Sequence, residues 1–491
     1  MKNIRLNNYH TLYVSFFLAV IFKGILFVIF IPLGQGPDEP NHFIHILAYT
    51  HQKNNESLYQ FYDLNRISSK PHKSSDKVFD PVNDAGNWNY TIQDTAIIED
   101  VFHILNKNNF WKFVDISPPF TSAIEDVQKL GLEEYISIRR YITPIYFYSM
   151  AMLLRWFGIE DITNQWFFLR FVSMIMGTGV IWFSYLTAKI VFKRHENNIA
   201  SLAVAAFVAF LPQFSFLSSV VNPDNLLFLC AAATLYMICL STQAEKRLKY
   251  FILIMLLSTA CCVIKEQGIP VAIFAIFAIS FIALSSKNTN PDDRIYIIFQ
   301  PVYVFLVFIL FMGTIVCFFS DRESLGRFFE VSHARSDNVF RTFLVPIDYI
   351  RCFLIWFVSF WFSYGWMVYK MSIAWYFVFG VITLIAIIGV VKIIYWKKDQ
   401  EDIYRKCILI NIFLVLLSWI SVLIFYGPGH KGMQARHFFA ALPAISILLV
   451  TGIHGIVPIR YQNIFISIFI LFLIFVNIVT VIKYIIPIYY L

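Results

Sequence analysis

Thirteen apolar runs punctuate the 491 residues, and their spacing dictates the first reading of the chain. They are Tyr9–Leu33, Ile142–Phe157, Trp166–Phe192, Ile199–Val221, Leu226–Leu240, Tyr250–Ile264, Ile269–Leu284, Ile295–Phe319, Val345–Trp366, Ile373–Trp396, Cys407–Phe425, His437–Ile453 and Ile464–Ile486. About 20 apolar residues in a helix cross a ~30 Å hydrocarbon layer, and in lipid only a helix or a closed barrel satisfies the backbone. The pattern predicts an all-α polytopic membrane protein with 11 to 13 transmembrane helices. One interruption stands out: residues 34–140 form a polar, aromatic-dotted stretch of 107 residues, while the other connections are short. A loop of that size carries function more often than it merely connects. Its amphipathic pieces, Asn41–His51 and Ile97–Phe113, are predicted to lie along the membrane surface. The chain thus divides into a first transmembrane helix (1–33), an extracytoplasmic loop (34–140) and a multi-span bundle (141–491).

Composition agrees with this division. The chain is 58% hydrophobic and 14% charged, far from the balance of a water-soluble domain. Lys2 and Arg5 precede the first apolar run, which is too long for a secretory leader and is expected to stay as an anchor. The net charge of +8 comes from lysines and arginines scattered in short loops, so topology explains it without a nucleic-acid partner. All seven cysteines lie in or beside apolar runs, which argues against a disulfide framework.

Positive charge sets the orientation. Lys2 and Arg5 place the N-terminus inside and the long loop outside. The clusters Lys193-Arg194, Lys246-Arg247-Lys249, Lys287 with Arg294, and Lys397-Lys398 with Arg405-Lys406 should then be cytoplasmic. Strict alternation of every run puts the first three of these outside. If Ile142–Phe157 and Val345–Trp366 only dip into the outer surface, all four fall inside, and we favour that topology. It gathers Asp38, Asp224, Lys265 and Arg436 on one wet face.

The acidic pair Asp38-Glu39 follows the first helix, where a carboxylate is partly desolvated yet reachable from water. Pro37 and Pro40 stiffen its surroundings, and His42 and His45 follow at helical spacing. Two readings stand side by side: a capping pair at the start of a surface helix, and a catalytic base with its neighbour as alternate. Asp38, Glu39, His42 and His45 also hold ligand types suited to a divalent metal, and metal use stays open. Lys23 lies inside the first apolar run and needs a partner or a water path.

The run Gly36-Pro37-Asp38-Glu39-Pro40-Asn41-His42 before a long outer loop resembles the GT-C superfamily of membrane glycosyltransferases. It is most similar to a bacterial branch of formally unknown function with a Pro-Asp-Glu-Pro-x-His motif. Arg139-Arg140-Tyr141-Ile142-Thr143-Pro144-Ile145-Tyr146 resembles the lead into that family's second membrane segment. Gln434-Ala435-Arg436-His437, running on to Leu442-Pro443, resembles its late Gln-Gly-Arg-Tyr pattern, with Ala435 in place of glycine and His437 in place of tyrosine.

The resemblance implies transfer of a sugar from a polyprenyl-phosphate carrier to an extracytoplasmic glycan, lipid or protein, in the bacterial cytoplasmic membrane. Asp38 is the expected general base and Glu39 its alternate. Arg436, Lys265, Lys431, Arg139 and Arg140 are candidates for the donor phosphate, and His42, Asp224 and His437 for substrate binding. Head-group contact for Arg139 and Arg140, pairing with Glu266 for Lys265 and capping for Asp224 are the plainer alternatives. A transporter or flippase, and a glycan polymerase or ligase, are the competing functions.

Overall fold

A computed structural model describes residues 2–51, 59–61, 90–92, 100–101, 103–105, 107–108, 145–193, 198–244, 247–284, 346–364, 369–396, 402–426 and 434–491. The expected segment Ile295–Phe319 lies outside the described residues, as do Arg139, Arg140, His430 and Lys431.

The described chain is built from helices, as an apolar solvent requires. The long loop carries one exception, a short antiparallel ribbon of β1 (Tyr59–Phe61) and β2 (Tyr90–Ile92). In order the helices are α1 (Lys2–Phe30), α2 (Glu39–His51), α3 (Ile145–Phe157), α4 (Ile162–Val191), α5 (Asn198–Phe210), α6 (Pro212–Leu217), α7 (Asp224–Ser241) and α8 (Leu248–Ile264). Then come α9 (Ile269–Leu284), α10 (Pro346–Trp361), α11 (Ile373–Trp396), α12 (Asp402–Tyr426), α13 (Leu442–Ile456), α14 (Gln462–Val479) and α15 (Ile486–Tyr490). A tight helical turn at Ala435–Ala441 leads into α13. Among the described residues seven helices are long and apolar enough to cross a membrane, and four shorter apolar helices join them.

Where a single span Ile199–Val221 was expected, the chain breaks between α5 and α6. Pro212 has no N–H to continue the ladder, so the helix ends at Phe210 and restarts. The break explains Lys23. Its ammonium reaches the Ala209 carbonyl and donates to Ser215 Oγ at 2.8 Å. Asn477 Nδ2 completes the node, donating to Phe210 O and Ser215 Oγ. A charge costly to bury is thus spent on backbone acceptors exposed by a broken helix.

Helix contacts sort the two ends of the bundle. α1 and α4 run antiparallel, with Tyr13 beside Tyr185 (ring centroids 5.4 Å apart) and Arg170 against the last carbonyls of α1. At one end Phe192 meets Tyr404 and His454, and Thr242 lies 3.9 Å from Cys407 Sγ. Lys193, Arg247, Lys249, Arg405 and Lys406 flank these contacts, while Arg194, Lys246, Lys287, Arg294, Lys397 and Lys398 lie outside the described residues. The opposite end, about 39 Å away along the 26 steps from Trp166 in α4 to Phe192 just beyond it, holds Asp38, Asp224, Lys265 and Arg436.

α3 corresponds to the first of the two ambiguous segments. It lies along α2, with Phe147 on His45 (5.0 Å) and Arg155 donating to Tyr49 O and Thr50 O. After a turn at Gly158 (φ +62°), the chain enters α4 at the Asp38 end. Both ends of α3 therefore stay on that side. The topological prediction is that cysteines placed at Lys193 and Lys246 react with an impermeant maleimide only after permeabilisation. Efficient labelling in intact cells would restore strict alternation.

α11 and α13 approach most closely through small residues. A Cβ on Gly389 or Gly452 would run into backbone of the opposing helix, so glycine is required for this contact.

Candidate functional site

The site starts with how α1 stops. Its final carbonyls have no partners within the helix, a deficit that in a dry environment must be met by side chains. Arg170 from α4 meets it: its NH1 donates to Val28 O and Ile31 O, and its NH2 to Pro32 O at 2.9 Å. The same guanidinium holds Glu39 with two bonds, Nε to Oε1 and NH2 to Oε2, each 2.7 Å. Glu39 accepts further from Trp166 Nε1 (3.1 Å), Val221 N (3.0 Å) and Gly36 N (3.1 Å). Arg170 and Glu39 have side-chain exposures of 0% each. This hub ties together the end of α1, the start of α2, α4 and the loop before α7.

Between those anchors the chain turns tightly. Gly34 has φ +85°, and Gly36 packs so closely that a Cβ there would lie 2.7 Å from Val220. Asp38 has φ +57°, the one non-glycine residue in the left-handed region among those described. Aspartate tolerates that region better than most residues, though at a cost, and such geometry persists only where surroundings enforce it. Here the enforcement is visible: Pro37 precedes Asp38, and its carbonyl accepts from Asn222 Nδ2. Asp38 O in turn accepts from His42 N, opening α2.

The side chain of Asp38 points away from the hub. Its Oδ2 accepts from Arg436 NH2 at 2.8 Å, and 47% of its surface stays accessible. The packed surroundings oppose its charge, but Arg436, with His42 and Lys265 nearby, outweighs them and holds the carboxyl well below the usual range. A carboxyl lowered on folding adds stability above its ordinary titration range and loses it only as the pH falls through the lowered value. Asp38 is therefore ionised at any physiological pH. Beside it Lys265 pairs with Asp224 at 2.6 Å, and Asp224 N is capped by Asn222 Oδ1. His437 Nδ1 lies 3.3 Å from Gln267 Nε2, and both line a pocket with Pro270 and Ser418.

His42 and His45 face inward onto Phe147. Burial pushes His45 down to about 3, and burial also puts His42 well below its ordinary value despite the pull of Asp38. Both are neutral near pH 7.

The structure thus brings Asp38, Arg436, Asp224, Lys265 and His437 to one end of the bundle, and separates them from Glu39. The expectation of Glu39 as an alternate base meets a carboxylate with no accessible surface and both oxygens engaged. Lys265 pairs with Asp224, which comes within reach because α8 ends beside the start of α7; the side chain of Glu266, the plainer partner, lies outside the described residues. Nor does the acidic and histidine segment form a metal cage: Glu39 turns to Arg170 and the histidines to Phe147. Among the described residues no three His, Cys, Asp or Glu side chains are grouped to hold an ion. Arg170 was absent from the sequence-derived candidates, although an arginine inside an apolar run is itself a signal.

Fold and site together define a polytopic helical membrane protein with an acidic and basic centre at one end of its bundle. The chain belongs to the family described as Predicted membrane protein (DUF2142), whose model matches residues 21–445. No curated protein matches the sequence. Among solved structures it is similar to the Archaeoglobus fulgidus oligosaccharyltransferase complexed with zinc and sulfate, at 12% identity and a TM-score of 0.47, covering 94% of this chain and 52% of that one. It is also similar to ArnT from Cupriavidus metallidurans bound to undecaprenyl phosphate, at 13% identity and a TM-score of 0.46, covering 98% and 73%. A third is the oligosaccharyltransferase AglB from Archaeoglobus fulgidus with an inhibitory peptide and a dolichol-phosphate, at 12% identity and a TM-score of 0.45, covering 95% and 54%. The chain spans about half the length of the archaeal enzyme.

Proposed function

We propose that this protein is an inverting glycosyltransferase that moves a sugar from a polyprenyl-phosphate donor to an extracytoplasmic acceptor. The observation that carries the reading is the Asp38–Arg436 pair: an accessible carboxylate in an enforced backbone geometry, set against a guanidinium at one end of a helical bundle. The motif residues at Pro37–His42 and Gln434–His437, 398 positions apart at the Asp38–Arg436 contact, meet at this one point. Lipid phosphates are the ligands named in two of the similar structures, undecaprenyl phosphate in ArnT and dolichol-phosphate in AglB. For this chain the assignment rests on its own residues.

In this mechanism an acceptor hydroxyl gives its proton to the Asp38 carboxylate as its oxygen bonds to the anomeric carbon. The bond from that carbon to the phosphate oxygen breaks on the opposite face, and the lipid phosphate leaves with the electron pair. One displacement inverts the carbon and needs no covalent enzyme intermediate. Arg436 and Lys265 stabilise the leaving phosphate in a water-poor setting, where such contacts are strongest. Lys431, Arg139 and Arg140 remain candidates for the same role. His437 and Asp224 would hold donor or acceptor hydroxyls, with neutral His42 behind Asp38. Glu39 acts through the turn it anchors, as a positioning residue. In this reading the protein sits in the bacterial cytoplasmic membrane with this end outward, an orientation supported by the basic positions at the other end.

Mass spectrometry of surface glycans from a strain lacking the protein tests the reading. Loss of a single residue from each glycan is the expected result. A shortened chain length would instead identify a polymerase, and glycans absent from the surface with their lipid-linked precursors retained would identify a flippase.

A further inference from the structure

Two cations face the Asp38 turn, and both are held by carboxylates, but unequally. In the Lys265–Asp224 pair the side chains are 11% and 3% exposed, so the carboxylate is covered and this pair is the harder of the two to open. In the Arg436–Asp38 pair the values are 10% and 47%, so this contact can be approached from the Asp38 side. An ion pair with one half-exposed partner is partly screened by solvent. Its persistence is a matter of geometry: Pro37, the Asn222 contact and the start of α2 hold Asp38 at φ +57°, aimed at Arg436. A phosphate presents more charge and more acceptor oxygens than a carboxylate, and so competes well for a guanidinium.

We propose that Arg436 is a shared cation, held by Asp38 while the site is empty and handed to the phosphate of an incoming polyprenyl-phosphate donor, so that Asp38 is released as a base only once the donor is seated. The inference rests on the donor reading given above and adds the order of events to it. While Arg436 is bound, Asp38 is a poor proton acceptor. When the guanidinium turns to the phosphate, its pull on the carboxylate is shared and basicity returns, with Lys265 and His42 the other groups facing Asp38. Donor must precede acceptor, and water is not activated in an empty site.

Binding of undecaprenyl phosphate to the full chain in nanodiscs of uncharged lipid is the test. Breaking the pair from the carboxylate side removes a competitor, so Asp38→Asn should bind the lipid about tenfold tighter than the unaltered protein. Asp38→Gly, which suits the positive φ, should do the same and guards against a folding artefact in either variant. Arg436→Gln should lose binding, alone or combined with Asp38→Asn, and Asp224→Asn should show no comparable gain. The proposal is overturned if both Asp38 variants bind no tighter, or if Asp224→Asn gains as much, since removal of any negative charge would then explain the effect. If no form binds the lipid phosphate, the donor reading itself falls.

Discussion

Asp38→Asn should reach the membrane in normal amount and transfer sugar at least about a hundredfold more slowly. Asparagine keeps the size of the side chain and is, with aspartate, among the residues that best accept a left-handed backbone, so the turn at φ +57° is retained. The carboxylate of the lost ion pair is half-exposed, so solvent can take its place, and Arg436 keeps further contacts. What disappears is the proton acceptor. General-base catalysis contributes about 10²–10⁴-fold, so transfer should fall by at least the lower figure. The measurement is complementation of the deletion strain, with glycan mass spectrometry beside an immunoblot of membranes. Full glycan recovery by Asp38→Asn would remove Asp38 as the base.

Glu39→Leu should fail differently, by loss of the protein itself. It strands the Arg170 guanidinium with no accessible surface and without the carboxylate that takes two of its bonds. Removing one member of a buried pair costs about 3–5 kcal/mol, a large share of what holds most folds together. Arg170→Met is expected to be equally harmful, since the carboxylate is then stranded and Val28, Ile31 and Pro32 lose their donor. The double variant Glu39→Leu/Arg170→Met removes both charges and should recover part of the lost folded protein, read as the monodisperse fraction after detergent extraction. Additive damage in the double variant would show that the two residues do not act as a unit. Recovery of glycan transfer in the double variant would separate a positioning Glu39 from a catalytic one, because a catalytic carboxylate cannot be restored by removing its partner.

Much of the architecture could be read from apolar run length alone, because a bilayer allows few alternatives to a helix. The placement of basic positions at one end and of Asp38, Asp224, Lys265 and Arg436 at the other was legible from charge in short loops. Other features were hidden for identifiable reasons. A left-handed Asp38 leaves no trace in residue type, since glycine is the usual marker and aspartate reads first as a helix cap. Glu39 stands beside Asp38 in sequence, and adjacency suggested a shared role. Along the chain, however, the two carboxylates point to opposite sides of a turn, one into protein and one toward open space. The partner of Glu39 lies 131 positions away in α4, beyond any spacing argument. Arg170 was nonetheless visible as a charge within an apolar run, as Lys23 was, and both answer the same need: backbone carbonyls left without donors where a helix ends or breaks.

The separation of Asp38 from Arg436 also bears on biogenesis. Asp38 is synthesised early and its partner 398 residues later, after most of the bundle. At about 5–20 residues per second, translation leaves the acidic half alone for roughly 20–80 s. During insertion the growing polypeptide therefore exposes a carboxylate but no assembled centre. Chains released before Arg436 lack the assembled Asp38–Arg436 contact.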